Sequence, residues 1–373
     1  MSIHKTTSKT GSKYLVKLRR PDGTQYSKTF RTRKLAEVFQ TSEKSAMNTN
    51  SWLDDRQAKT TFGIIAERWL GQNTAKRQRT LDRDKAILRR HLLPVLGERR
   101  IALIKKPELQ TLVTTWVSHG LKPRTIKRQV AVMKAVFQRA IDDDLIVKTP
   151  ARALKYPAAE PVEHHPLSTQ DVTKLLEAIT PFYRPMIYIL ISTGLRWSEL
   201  AGLQIRDAQL LQKPPKLKIE RGLHQTSKGI KLEAPKTNAG RRTISLTTTG
   251  AEAIAGHIAT TGRTMAQNDE PLFVSPNGHP LNYSNFRNRI FKPALKQCGL
   301  DEIDIHDLRR TTATVLVAQQ IDAKTIQEIM GHSDIRTTLN LYASSTPQAH
   351  QKATEALGAY LNNDSEKETK DVL

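Results

Sequence analysis

The sequence is poor in cysteine and contains no long apolar run. Cys298 is the single cysteine among 373 residues, so no disulfide can form within the chain, as is typical of proteins in a reducing compartment. No stretch reaches the roughly 20 apolar residues that a membrane span requires, and the first residues carry no apolar secretory signal. We therefore predict a cytoplasmic protein that has no contact with a membrane.

Two kinds of phosphoryl-transfer site are also missing from the sequence. There is no Gly-x4-Gly-Lys-Ser/Thr loop to hold a nucleoside triphosphate, and no cluster of acidic residues at the spacing of a two-metal site. We therefore predict no metal ion and no other cofactor. A chain of this kind that cuts a phosphodiester has to conserve the energy of the broken bond in a covalent intermediate.

What the sequence has in excess is positive charge. The formal net charge is +23 and the isoelectric point is near 10.1. Lys and Arg outnumber Asp and Glu by 20 over residues 1–154 but by only 3 over residues 155–373. This imbalance predicts that the first part of the chain binds a polyanion, with a nucleic-acid backbone as the natural candidate. The length exceeds that of one ordinary domain, so we expect several.

Residues 1–58 have the pattern of a small sheet with one helix. Apolar and polar residues alternate on both sides of Pro21-Asp-Gly23, which is typical of a hairpin turn, and a helical pattern covers residues 34–46. We predict a three-stranded sheet whose outward face carries basic side chains that a DNA groove can receive. The predicted DNA contacts of this sheet are Lys17, Arg19, Lys28 and Arg31.

Residues 59–154 show the periodicity of helices almost throughout. The clearest helix spans Pro123–Asp142, with an apolar stripe on one side and a basic face on the other. The predicted DNA contacts of this face are Arg124, Lys127, Arg128 and Lys134. Prolines within residues 155–166 predict a linker. Residues 167–361 are predicted to form a mixed α/β domain, and residues 362–373 a polar tail.

The mixed α/β domain contains residue types that can stabilise a phosphoryl transition state. His306 and Arg309 lie three positions apart at the predicted start of a helix, so they share one face. Arg196 follows a Thr-Gly break before another helix, and Glu199 lies one turn further on, where it can hold the guanidinium. An arginine donates to two phosphate oxygens through its planar fork, so two arginines suit a transition state with charge on those oxygens.

Three further residues complete a reactive set. His332 follows Gly331, which is predicted to end a helix, with Ser333 capping the next one. Tyr342 lies on the apolar stripe of that next helix, where a tyrosine is usually a packing residue. Lys236 lies in a predicted hairpin turn between two strands, from which its ammonium can reach a leaving oxygen. Each residue taken singly is a weak signal, and the ordered set carries the prediction.

The order of these residues resembles that of the tyrosine recombinases, and within them the phage-type integrases. The resemblance rests on Thr-Gly-Leu-Arg196-Trp-Ser-Glu199, Lys236, His306-Asp-Leu-Arg309, Gly-His332 and Tyr342, and it covers about residues 60–360. The roles that it implies are Tyr342 as nucleophile, Arg196, Arg309 and His332 as stabilisers of the phosphorane-like state, Lys236 as general acid, His306 in proton transfer and Glu199 in support. No metal or cofactor is implied.

The resemblance also implies an architecture and partners. The expected fold is multidomain and mainly α with small β-sheets: an arm-type DNA-binding domain at residues 1–58, a helical core-binding domain at 59–154 and a catalytic domain at 167–361. A homotetramer on double-stranded DNA, at core and arm attachment sites in a bacterial host, would exchange strands. A host DNA-bending protein and an excision directionality factor stay open as further partners. A type IB topoisomerase-like or telomere-resolving enzyme, or a non-catalytic DNA-binding protein of the same fold, stays open as an alternative.

Overall fold

The computed structural model describes nine segments of the chain. These are residues 2–8, 11–19, 23–48, 59–73, 75–160, 166–235, 237–300, 302–342 and 354–355. The chain divides into two compact units, residues 1–161 and 162–373. Within the described segments no helix is both long and apolar enough to cross a bilayer. Most of the predicted hairpin turn at Pro21-Asp-Gly23, part of the predicted linker and the predicted polar tail lie outside the described residues, as does Lys236.

The first unit begins with the predicted sheet and helix. The strands are β1 (Ser2–Ser8), β2 (Gly11–Arg19) and β3 (Gln25–Phe30), which pair antiparallel in the order β1-β2-β3, and the helix is α1 (Arg33–Asn48). Val16, Leu18 and Ala36 form a small buried core between the sheet and the helix. The prediction of three strands and one helix is confirmed.

The strand register corrects the predicted position of one basic residue. Lys28 is paired with Val16, so both point to the face of the sheet that packs on α1. The Lys28 Nζ lies 4.7 Å from the centre of the Phe39 ring, where a cation–π contact holds it. Lys17 and Arg19 point to the opposite, open face, because side chains alternate along a strand. The prediction that Lys28 shares their outward face was wrong, because Lys28 lies on the same face of β3 as Tyr26 and Phe30, which pack against the core.

A helical bundle forms the rest of the first unit. Its helices are α2 (Phe62–Gln72), α3 (Gln78–Ile87), α4 (Leu93–Leu96), α5 (Lys106–Ser118) and α6 (Pro123–Asp142). Phe62 and Phe137 meet edge to face in its core, with ring centres 5.5 Å apart. Helix α6 has the predicted bounds, and its four predicted DNA contacts, Arg124, Lys127, Arg128 and Lys134, are all exposed. Their exposure keeps the basic face free for a partner.

The second unit combines helices with two small antiparallel sheets. Its helices are α7 (Thr169–Ala178), α8 (Arg184–Thr193), α9 (Trp197–Ala201), α10 (Thr248–Thr260), α11 (Tyr283–Phe286), α12 (Lys292–Cys298), α13 (Ile305–Ala318), α14 (Ala323–Met330) and α15 (Ile335–Tyr342). Its strands are β4 (Ala208–Gln209), β5 (Lys216–Ile219), β6 (Gly222–Thr226), β7 (Gly229–Glu233) and β8 (Arg242–Ser245). Strands β4-β5-β8 form one sheet, and β6-β7 form a separate ribbon.

Two apolar clusters of the second unit position the functional elements. The larger core extends from Leu167 to Leu308 and fixes α8, α9 and the start of α13. A smaller cluster is built on Ala313, Ile326 and Met330, and side chains of α15 pack against it. Helices α13, α14 and α15 therefore form one packed corner, with the end of α14 directed toward α9 and β8.

Candidate active site

The C-terminal end of α14 is the meeting point of three arginines. Helix ends leave backbone carbonyl groups without intrahelical partners, and the helix dipole makes this end partly negative. Three successive carbonyl oxygens there accept hydrogen bonds from three different elements: Ile329 from Arg242 Nε at 2.6 Å, Met330 from Arg309 Nη2, and Gly331 from Arg196 Nη2 at 3.1 Å. The helix end thus holds three guanidinium groups that would otherwise repel one another.

Gly331 makes this arrangement possible. It ends α14 in the left-handed region, with φ of 61°, as the sequence predicts. A Cβ at this position would lie 2.7 Å from the Arg242 Nη1 and 2.8 Å from the Ala239 carbonyl oxygen. Both the backbone conformation and the close approach of Arg242 therefore require glycine.

Glu199 joins two of the arginines. Its Oε1 lies 2.6 Å from Arg196 Nη1, and its Oε2 lies 2.9 Å from Arg242 Nη2. Oε2 also accepts the backbone N–H of Arg196 at 3.0 Å. Burial alone would raise the pKa of this carboxyl, but the hydrogen bond and charge of Arg242, together with Arg196, hold the pKa below its ordinary value. Glu199 is therefore ionised, and its predicted support of Arg196 fits this geometry.

Arg309 is the most deeply buried of the three arginines. Only 3% of its surface is exposed, and its Nη1 donates to the Gly194 carbonyl oxygen at 2.6 Å. Its two carbonyl contacts use two of the five guanidinium N–H groups. Burial and the neighbouring Arg196 lower the pKa of Arg309 to about 9, so the group stays cationic at neutral pH. Gly194 ends α8 with φ of 64°, which confirms the predicted break before Arg196.

The two predicted histidines lie beside these arginines. The His332 Nδ1 lies 2.9 Å from the hydroxyl of Thr338, which is fully buried. Burial and the charges of Arg309 and Arg196 lower the pKa of His332 to about 4, so its imidazole is neutral at pH 7. His306 lies on the first turn of α13, as predicted, and burial, followed by Arg310 and Arg309, lowers its pKa as well.

Tyr342 is not part of this cluster. Its hydroxyl donates a hydrogen bond to the carbonyl oxygen of Ile321, just before the N-terminal end of α14. Helix α14 rises about 1.5 Å per residue, so the phenol lies roughly 12 Å from the arginine end. None of the hydroxyl contacts found among the described residues joins it to the arginines or to His332. Burial and Asp322 raise the pKa of Tyr342, which keeps the phenol protonated.

The surroundings of two predicted features differ from expectation. The strands on either side of Lys236 are not partners: β7 pairs with β6, whereas β8 pairs with β5. The segment between them is a crossover between two sheets, so the predicted hairpin was wrong, because the alternating pattern identifies strands but not their partners. Asp334 rather than Ser333 caps α15, since its Oδ1 accepts the backbone N–H of Arg336 at 2.9 Å.

Arg242 is the residue that the sequence prediction missed. Its side chain is 7% exposed and takes part in the arginine cluster described above. The missed signal is its position two residues before the buried Ile244 in β8, because alternation places both side chains on the inward face of the strand. A charged residue on a buried strand face requires a partner, and Glu199 provides it.

Two family models match the chain. The model described as phage integrase family matches residues 165–349, which include all of the arginine cluster and Tyr342. The model described as phage integrase central domain matches residues 62–157, which correspond to the helical bundle. The two matches leave the first sheet and α1 uncovered.

Known proteins resemble the chain over most of its length. The integrase of Mycobacterium phage FRAT1 is 24% identical over 327 residues, which cover 85% of this chain and 96% of that protein. The Tn1549 transposon integrase, solved in complex with transposon right end DNA, is 25% identical with a TM-score of 0.68, covering 80% of this chain and all of that chain. A lambda integrase tetramer bound to a Holliday junction shares the fold at 17% identity and a TM-score of 0.55, over 88% and 95% of the two chains.

Proposed function

The chain belongs to the phage integrase family, and on that premise we propose how its residues cut and rejoin DNA. It is a tyrosine site-specific recombinase that binds DNA. Its reaction integrates or excises a phage or mobile element through a 3′-phosphotyrosyl intermediate. The observation that supports this chemistry best is the convergence of Arg196, Arg309 and neutral His332 at one end of α14.

In the proposed reaction the Tyr342 oxygen attacks the scissile phosphorus, and the bond from phosphorus to the 5′ oxygen breaks. The phenol loses its proton with the help of His306, and Lys236 gives a proton to the departing 5′ oxygen. A 5′ hydroxyl of the exchange partner then attacks the phosphotyrosine, so the tyrosine leaves and the strand is joined. Each step conserves the number of phosphodiester-type bonds, and no external energy source is needed.

Arg196, Arg309 and His332 are proposed to stabilise the charge on the non-bridging oxygens. Each guanidinium keeps N–H groups beyond those bound to carbonyl and carboxylate oxygens, and the neutral imidazole offers one N–H. Removal of one such donor typically costs about 3–4 kcal/mol of transition-state stabilisation. Glu199 acts through Arg196 and does not touch the phosphate. For the Tyr342 hydroxyl to reach the phosphate, its hydrogen bond to the Ile321 carbonyl oxygen has to break and α15 has to move.

We propose the remaining partners from charge and from the relatives. The exposed basic face of α6 binds the core site, and the open face of the first sheet, with Lys17, Arg19 and the nearby Arg31, binds arm sites. We propose that four copies act on two duplexes, a stoichiometry suggested by the lambda integrase tetramer bound to a Holliday junction. A host DNA-bending protein and an excision directionality factor would act with this tetramer inside the bacterial cell.

The reaction class is tested with the purified full chain and a library of joined genomic fragments. Sequencing of recombinants should identify a pair of sites with a common core. On that core, a nick near the cleavage position lets the short cut fragment diffuse away, so the covalent protein–DNA adduct accumulates. Recombinants that form without any such adduct would contradict the phosphotyrosine mechanism.

Replacement of Thr338 by valine should slow DNA cleavage about 10-fold, which corresponds to about one hydrogen bond of net stabilisation. In the proposed arrangement the Thr338 hydroxyl, 2.9 Å from His332 Nδ1, donates to that nitrogen, so that Nε2 carries the proton and donates it to a phosphate oxygen. Valine keeps the shape and removes the hydroxyl. Single-turnover cleavage at saturating protein measures the effect, and Thr338→Ser should retain the wild-type rate. Equal rates for valine and threonine would show that the contact does not orient the imidazole.

Deletion of residues 1–58 should remove binding to distal arm sites and leave weak cleavage of the core site. The sheet and α1 have a core of their own, so the bundle keeps its apolar cluster without them. Footprinting on DNA that carries both kinds of site measures the change. Two point variants test whether the open face of the sheet binds the arm sites. Lys17→Ala should weaken the footprint on the arm sites, whereas Lys28→Ala on the opposite face should not. Unchanged arm protection after the deletion would overturn the assignment.

A further inference from the structure

We infer that Arg242 is a positioning residue that holds Arg196 and the Gly331–His332 turn for attack on the phosphate, an inference that rests on the proposed function. No motif pointed to Arg242. Its Nε donates to the Ile329 carbonyl oxygen at 2.6 Å, its Nη1 to the Gly240 carbonyl oxygen at 3.3 Å and its Nη2 to Glu199 Oε2 at 2.9 Å. One side chain therefore fastens β8 to α9 and to the end of α14.

The shared carboxylate determines how Arg196 presents its charge. Without Arg242, Oε2 would bind only the Arg196 backbone N–H and could also accept from the Arg196 guanidinium, giving the two-pronged pair that arginine prefers with a carboxylate. Arg242 shares Oε2 with the backbone N–H of Arg196, so only Oε1 holds the Arg196 side chain. The second Arg196 nitrogen is fixed on the Gly331 carbonyl instead. This arrangement keeps Arg196 at the helix end where His332 follows.

Charge balance supports the same conclusion. Arg196 and Glu199 alone would be neutral, whereas Arg196, Glu199 and Arg242 together carry one net positive charge. Arg309 adds a second. Arg242 is almost buried, and each of its three nitrogens already has a protein acceptor. It therefore acts on the phosphate through Arg196 and the turn rather than by contact.

The test compares two scissile groups, a phosphodiester and a methylphosphonate, in otherwise identical DNA. The methylphosphonate carries methyl in place of one non-bridging oxygen and has no negative charge for Arg196 to stabilise. We expect Arg242→Gln to slow cleavage of the phosphodiester about 10- to 100-fold, as for partial loss of one oxyanion donor. On the methylphosphonate, Arg242→Gln should cleave within about 3-fold of the wild-type rate, because the contact of Arg196 with a charged phosphate oxygen, which Arg242 supports, is no longer needed.

A matched control separates positioning from folding. Arg221 is also nearly buried and paired with a buried carboxylate, Asp207, at 2.6 Å, but it lies outside the arginine cluster. Arg221→Gln should change the two cleavage rates by the same factor. Thermal unfolding shows whether Arg242→Gln is folded. If it is not, Arg242→Lys replaces it in the comparison of the two substrates, since one ammonium cannot donate to three acceptors in the geometry of a guanidinium.

The outcomes distinguish this inference from the proposed function. Arg196→Ala should show the same rescue by methylphosphonate, and Arg196→Ala with Arg242→Gln should be no slower than Arg196→Ala alone on the phosphodiester. An equal deficit of the Arg242 variant on both substrates, or additive losses in the double variant, overturns the positioning role. Failure of Arg196→Ala to be rescued, or the lack of a wild-type adduct, instead counts against the proposed function.

Discussion

Replacement of Tyr342 by phenylalanine should abolish the covalent adduct on a nicked core substrate and leave DNA binding intact. The phenol is the only group assigned to form the bond to phosphorus, so its removal leaves the charge-stabilising residues without a nucleophile. The adduct is measured as labelled DNA that stays with the protein under denaturing conditions, and binding is measured by mobility shift.

The structure offers a control for this variant. Tyr188 is half-buried, and its hydroxyl lies 3.3 Å from that of Thr247, away from the arginine cluster. Tyr188→Phe loses a comparable hydrogen bond and should form the adduct at the wild-type rate. An adduct of normal yield from Tyr342→Phe would show that another residue attacks the phosphate.

Replacement of Arg309 by lysine should lower the cleavage rate about 100- to 1,000-fold. Lysine keeps the charge but cannot donate in a planar fork to Gly194, Met330 and a phosphate together. One buried carbonyl left without a donor should also lower the free energy of unfolding by about 1–3 kcal/mol. Single-turnover cleavage and denaturant unfolding measure the two effects separately.

Arg336 provides the matched control for the lysine substitution. Its side chain is 83% exposed and contacts Asp334 in the same turn. Arg336→Lys should change neither the cleavage rate nor the stability, because an exposed ion pair contributes little. Cleavage by Arg309→Lys within about threefold of the wild-type rate would contradict an oxyanion role for this guanidinium.

The sequence predicts much of this site because its local signals are strong. Gly194 and Gly331 mark the ends of helices, and the spacing of His306 and Arg309 places them on one face of α13. Those features depend on backbone geometry within a few residues, which the sequence encodes directly. The ordered motifs then identify the family, which the comparisons confirm.

The parts that could not be predicted depend on pairing between distant segments. Lys28 was placed on the wrong face although Tyr26 and Phe30, two positions away on either side, share its face and pack against the core. The β7 and β8 strands were recognised, but their partners depend on the whole sheet arrangement. Arg242 was missed for a related reason, since its three acceptors come from other elements. Lys236 as general acid stays a prediction, because it lies outside the described residues.

The opposite placement of the arginine cluster and the phenol along α14 has a consequence for the host chromosome. Under the proposed mechanism, a single copy that slides over random sequence binds backbone phosphates while the Tyr342 oxygen stays hydrogen-bonded to Ile321, about one helix length away. Chance encounters then leave the genome unbroken, because gripping and cutting require different arrangements of the same short helix. We therefore expect strand breakage only when α15 is released, which would spare the cell stray protein-linked nicks.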